Sequence, residues 1–164
     1  PSENLAFPSN HFDLVTAFTA FHWFATKEAV DEIKRVLKPG GIFFAALKMS
    51  KKDRQETNDF ANNYRSIFKK YAGENFDPTQ NYAPKDLLVG SGFKSVVEKD
   101  FPIEERHTIE ESLLLAKSLS AWNLVSEKDK PKMIMELKKL FEKHSIDNVV
   151  TRKREISTIA GIKK

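Results

Sequence analysis

The chain has 164 residues, enough for one domain with a hydrophobic core, and its 40% apolar and 30% charged residues are the balance of a globular protein. It contains no cysteine, which excludes disulfide scaffolds, thiolate metal sites and cysteine nucleophiles and fits a reducing compartment such as the cytoplasm. The net charge of +4 is mild; no apolar run reaches the roughly 18–20 residues that span a bilayer, and Pro1-Ser2-Glu3-Asn4 opens without a signal peptide's basic and apolar regions.

In chain order, the turn-like Pro8-Ser9-Asn10 precedes Phe12-Asp13-Leu14-Val15-Thr16-Ala17-Phe18, a short run of strand formers that predicts a buried strand. Thr26 is an N-cap with Glu28 in the first turn, and Ala29, Ile33, Val36 and Leu37 recur at helical spacing between charges. Pro39-Gly40-Gly41 stops that helix, and Ile42-Phe43-Phe44-Ala45-Ala46-Leu47 follows without alternation. A strand buried on both faces reads this way, so residues 12–47 predict a parallel β-α-β unit.

Residues from about Asp53 to Tyr71 carry Phe60, Tyr64, Ile67 and Phe68 on one helical stripe, and Gly73 to Tyr82 reads as a loop. Pro84 suits the first turn of a short helix ended by Gly90-Ser91-Gly92, and Phe93 to Lys99 reads as a third strand. Thr108 caps a helix expected through about Val125, Lys130 to His144 forms another with Leu137, Leu140 and Phe141 inward, and Arg154 to Ile162 alternates as a final strand. No repeat, low-complexity tract or linker divides residues 1–164, which read as one domain.

Lysines pair at Lys51-Lys52, Lys69-Lys70 and Lys163-Lys164, and Arg152-Lys153-Arg154 is the densest basic cluster. Without exposed aromatics interleaved on one face, these clusters read as solvated surface rather than a nucleic-acid footprint. Four scattered histidines, His11, His22, His107 and His144, form no metal-ligand spacing, so no metal is expected.

The order of elements resembles the second half of a class I S-adenosylmethionine-dependent methyltransferase domain. Asn4 to Val15 looks like the family's "A-x-x-L-P-F-P-D-x-S-F-D-L-V" approach to its fourth strand. Glu32-Ile33-Lys34-Arg35-Val36-Leu37-Lys38-Pro39-Gly40-Gly41 resembles the helix end and turn before the fifth. Phe21-His22-Trp23-Phe24 is similar to the "H-W-F" of type 11 and trans-aconitate methyltransferase-like members, and Leu119-Ser120-Ala121-Trp122 to a late-helix segment of that subgroup.

This resemblance implies a Rossmann-like α/β sheet, ordered 3-2-1-4-5-7-6 in the family with the seventh strand antiparallel, of which the chain supplies strands four to seven with helices on both faces. No Gly-x-Gly stands upstream of Phe12 and there is no initiator Met, so the resemblance reads as the C-terminal part of one domain, a fragment lacking the glycine-rich cofactor loop. The implied cofactor is S-adenosyl-L-methionine and the implied activity is methyl transfer to a small-molecule carboxylate or hydroxyl. "N/D-P-P-Y/F" is absent where Thr16-Ala17-Phe18-Thr19 stands, which argues against base amines as acceptors. By family position Ser2, Glu3, Asn4, Thr16, Ala17, Phe18 and Trp23 would bind cofactor. His22, Trp23 and Trp122 would meet substrate, with His22 the catalytic candidate. Arg106 and His107 are expected at the surface. The alternatives are a non-catalytic interaction module descended from such an enzyme and a nucleic-acid-binding protein. Lacking the family's first strand, Phe12–Phe18 would be a sheet edge, a pairing template for the missing N-terminal half or a second copy.

Overall fold

A computed structural model describes residues 1–49, 58–76 and 82–164. Its elements are β1 (Phe12–Phe18), α1 (Lys27–Val36), β2 (Leu37–Met49), α2 (Asn58–Ala72), α3 (Pro84–Gly90), β3 (Lys94–Thr108), α4 (Ile109–Ser118), α5 (Lys130–His144), β4 (Ser145–Ile146) and β5 (Val149–Ile162). Short 3-10 turns occur at Phe21–Trp23, Glu74–Phe76 and Ser120–Leu124. The strands form one sheet ordered β1-β2-β5-β3, with β4 paired to β5. β1 and β2 are parallel, from Leu14 opposite Ile42 to Phe18 opposite Ala46, and β5 runs antiparallel to β2. This is the order expected of strands four, five, seven and six, with the seventh antiparallel to the fifth.

Two compact units make up the chain: Pro1–Met49, Pro78–Phe101 and Glu155–Lys164 in the first, Ser50–Asp77 and Pro102–Arg154 in the second. In the first unit the crossover is α1. Thr26 accepts a hydrogen bond from the Ala29 N–H at 3.2 Å, and Ala29, Val30, Ile33 and Val36 are buried. The helix gives way to β2 without a loop, because Leu37 already has extended backbone. Lys163 supplies the cation that a helix C-terminus favours, donating to the carbonyls of Leu37 at 2.6 Å and Arg35 at 3.4 Å. Ala17, Phe21, Val30, Ile33, Leu37, Phe43, Ala45, Leu88, Phe93 and Ile159 form the core. On the opposite sheet face and the β1 edge, Leu14, Phe18, Ile42 and Ile162 stay exposed.

The Pro39-Gly40-Gly41 turn shows why glycine is needed here. Gly40 has φ +80° with open space around it, whereas a Cβ on Gly41 would lie 2.9 Å from the Lys38 carbonyl oxygen and 3.2 Å from that of Asp13. The two strands approach too closely for any side chain. Gly41→Ala is therefore expected to lower stability by about 1–3 kcal/mol through overpacking against backbone. Gly90→Ala, where no atom lies within 4 Å of the new methyl, serves as the control. Urea midpoints that fall equally in both variants would remove the close-approach argument.

In the second unit Thr108 and Glu111 form a reciprocal capping box at the start of α4. Phe68, Ala116, Ala121, Val125, Met133, Leu137, Phe141 and Val150 form its core, with the α2 stripe Phe60, Tyr64 and Ile67 packed against them. Leu137, Leu140 and Phe141 are inward, as expected.

Several element bounds differ from the sequence reading. The helix expected to reach Val125 ends at Ser118, whose hydroxyl donates to the Leu115 carbonyl at 2.7 Å before Leu119 turns extended. The third strand runs on to Thr108 and the last begins at Val149, preceded by an unforeseen hairpin. In that hairpin Asp147 and Asn148 both have positive φ (50° and 61°), the signature of a two-residue type I′ turn. The expected loop from Gly73 holds a 3-10 turn at Glu74–Phe76; residues 77–81 and 50–57, including the expected start of a helix near Asp53, lie outside the described residues.

The Arg152-Lys153-Arg154 cluster is not a solvated patch. Strand alternation exposes Lys153 and turns Arg152 and Arg154 to the other face, leaving Arg152 only 8% exposed.

Candidate active site

Parallel α/β sheets bind ligands at the carboxyl ends of their strands. At that end of β1, Ala17 is buried, while Thr16 and Phe18 are exposed, and the Phe18 ring lies 5.9 Å from Phe44. Thr19 follows with φ +52°, a costly conformation for a β-branched residue, held by its N–H donating to the Ala46 carbonyl at 2.8 Å. The kink starts the 3-10 turn Phe21–Trp23.

Phe21 is the turn's anchor. It is 2% exposed and packs edge-on against Phe43 at 5.0 Å, Phe24 at 5.5 Å and Tyr82 at 6.0 Å. With Phe21 inward, the next two residues face outward: His22 is half-buried and Trp23 is 56% exposed, their rings 5.1 Å apart. Tyr82 closes the other side of His22, edge-on at 6.4 Å. Burial, reinforced by the charge of Glu98, pushes the Tyr82 phenol up to about 12, so its hydroxyl keeps its proton at neutral pH. An imidazole beside two aromatic rings can accept a proton, and an aromatic face can receive a cation.

Tyr82 was not foreseen, for it sits in a stretch read as loop. The available signal was its position just before the Pro84 helix start, which fixes where that loop ends.

The other expected site residues lie as follows. Ser2, Glu3 and Asn4 form an N-terminal turn in which the Ser2 hydroxyl donates to Glu3 at 2.9 Å. The segment after them is tied to α1: the Leu5 N–H donates to Glu32 at 2.8 Å, and Arg35 donates to the Leu5 and Phe7 carbonyls at 3.1 and 2.9 Å. Arg35 and then the Leu5 amide hold the Glu32 carboxyl down at about 2. Trp122 belongs to the second unit, where it packs on that core with the Lys130 ammonium 5.6 Å from its ring. Arg106 is exposed and His107 half-buried. Among the described residues, no group of three or more His, Asp or Glu gathers as a metal site.

Strand order, a parallel β1–β2 pair joined by α1, an antiparallel β5 and a histidine-bearing turn at the carboxyl end of β1 define a Rossmann-like methyltransferase sheet. Residues 1–45 match the methyltransferase domain family. Over 130 residues the chain is 30% identical to an uncharacterized methyltransferase of Schizosaccharomyces pombe, covering 79% of this chain and 49% of that protein. It is 32% identical to a methyltransferase-like protein of the same organism over 76% of its length and 47% of that protein. The chain thus spans about half the length of the curated relatives it matches. Among solved structures it resembles a candidate methyltransferase of Bacillus halodurans (TM-score 0.55, 18% identity, 99% of this chain and 69% of that one). The YcgJ protein of Bacillus subtilis is similar in fold (TM-score 0.53, 17% identity, 99% of this chain and 68% of that one). The chain belongs to the class I S-adenosylmethionine-dependent methyltransferase family.

Proposed function

We propose that this chain contributes one wall of a cytoplasmic methyltransferase site that transfers a methyl group to a small-molecule carboxylate or hydroxyl. The carrying observation is the strained turn at Thr19, which sets His22, Trp23 and Tyr82 together at the carboxyl end of β1. S-adenosylmethionine, when bound, supplies an electrophilic methyl on a sulfonium. The residues here fit part of such a ligand: Trp23 and Tyr82 offer aromatic faces to a cation or an adenine ring, and Phe18 offers an exposed apolar one. Ser2, Glu3 and Asn4 add a polar turn. The protein's work is then orientation and exclusion of water, with His22 as the group able to take a proton.

We assign the glycine-rich part of the cradle to a strand paired with the outer edge of β1, from an upstream segment or a second copy. The Thr19 amide bonds β2, so alternation along β1 points the amides of Leu14, Thr16 and Phe18 away from it. No helix among the described residues is long and apolar enough to cross a membrane.

Titration with S-adenosylmethionine, followed by amide NMR, tests this. Signals of residues 16–23 should move at millimolar ligand, and Trp23→Ala should weaken the response about tenfold, the order of one stacking contact. The same spectra read the Thr16 amide, which is protected from exchange when the edge is paired. Unmoved signals at residues 16–23 would reject the site.

A further inference from the structure

We propose that the second unit holds a binding site for a small carboxylate, built on the guanidinium of Arg152. Val150 and Arg152 point to the same face of β5 and are 0% and 8% exposed, so the guanidinium sits at the margin of an apolar core. Its Cζ lies 4.8 Å from the Tyr64 ring centroid and 5.6 Å from that of Phe60. Besides this stacking and a hydrogen bond to Tyr64, the guanidinium has further in-plane N–H groups, the part that matches a carboxylate.

Arg154, on the same face, is influenced by Glu105, which opposes its burial and the repulsion from Arg152. Tyr64 supplies no anion, for burial raises its phenol against the pull of Arg152 and Arg154. No carboxylate among the described residues lies within ion-pair distance of Arg152. A buried cation without a counter-charge is costly, and an anion from solution removes that cost.

Two further buried atoms point the same way. The Tyr64 hydroxyl has no acceptor for its proton. His144, whose ring lies 5.4 Å from Phe60, keeps a buried Nε2 without a hydrogen-bond partner. A carboxylate seated on Arg152 gives the Tyr64 proton its acceptor. The planar fork of Arg152 matches the two coplanar oxygens of a carboxylate, whereas a phosphate dianion would bring a second charge to desolvate that the one guanidinium does not offset.

This site stands independently of the methyl-transfer reading, and either can fail alone. The test is NMR of the arginine Nε–Hε signals of the ¹⁵N-labelled protein at constant ionic strength, titrated with sodium acetate and, separately, inorganic phosphate. One signal, absent in Arg152→Lys, should shift saturably with acetate and less with phosphate, and the variant should bind acetate about tenfold or more weakly for want of the fork. The wild-type titration decides even if the variant folds poorly: no saturable acetate shift overturns the site. Unchanged acetate binding by a folded Arg152→Lys protein, or tighter binding of phosphate, overturns it equally.

Discussion

Phe43→Ala is expected to destabilise the first unit by about 3–5 kcal/mol, a large part of the roughly 5–15 kcal/mol that holds a whole domain together. Phe43 is fully buried at the centre of β2, opposite Val15 on β1 and Gly161 on β5. Its ring meets Phe21 at 5.0 Å and Phe93 at 6.4 Å, so one side chain joins the sheet, the segment after α3 and the turn carrying His22. Truncation leaves a cavity lined by rigid aromatic rings that cannot collapse into it. Phe18→Ala makes the same chemical change three residues before the Phe21–Trp23 turn, but Phe18 is 64% exposed, so its cost should stay near or below about 1 kcal/mol. Urea unfolding of the two variants side by side gives the answer. Equal losses would mean that Phe43 does not lie between β1 and β5, and the strand order would fall with it.

The first fifty residues were the most legible part of the sequence because three independent signals agree there. Helical spacing from Ala29 to Val36, the Pro39-Gly40-Gly41 stop and the unbroken apolar run after it each demand the same parallel crossover. The second unit was less legible. The third strand reads from Phe93 to Lys99 only, because the stretch after it is charged and interrupted by Pro102, yet β3 continues to Thr108. The Arg152-Lys153-Arg154 cluster reads as a basic surface run, and only pairing of β5 reveals that its alternate residues turn inward. Local composition reports solvation, whereas alternation within a paired strand decides which charges are buried. The same limit applies to the site. His22 and Trp23 could be found from a motif, because they follow one another in the chain. Tyr82 reaches His22 across sixty residues through the packing of Phe21, which no local pattern records.

His22→Asn is expected to separate the two acceptor classes left open by the proposed function. Methyl transfer is an in-line displacement, and its nucleophile must carry an available electron pair as the methyl arrives. A carboxylate near pH 7 is already an anion and asks nothing of a base. A hydroxyl must lose its proton, and at the carboxyl end of β1 the imidazole is the side chain suited to take it, since the Tyr82 phenol holds its own proton up to about 12. With hydroxyl acceptors the variant should lose about 10²–10⁴-fold in kcat, the usual contribution of a positioned base. The acid limb that a titrating base imposes on kcat/KM should vanish with it. With carboxylate acceptors the rate should stay within a few-fold of wild type. Asparagine keeps a comparable size and a hydrogen-bonding edge, so a loss common to both acceptor classes identifies a positioning residue rather than a base. Unchanged rates for both would take His22 out of the chemistry and leave the turn's aromatic faces as its whole contribution.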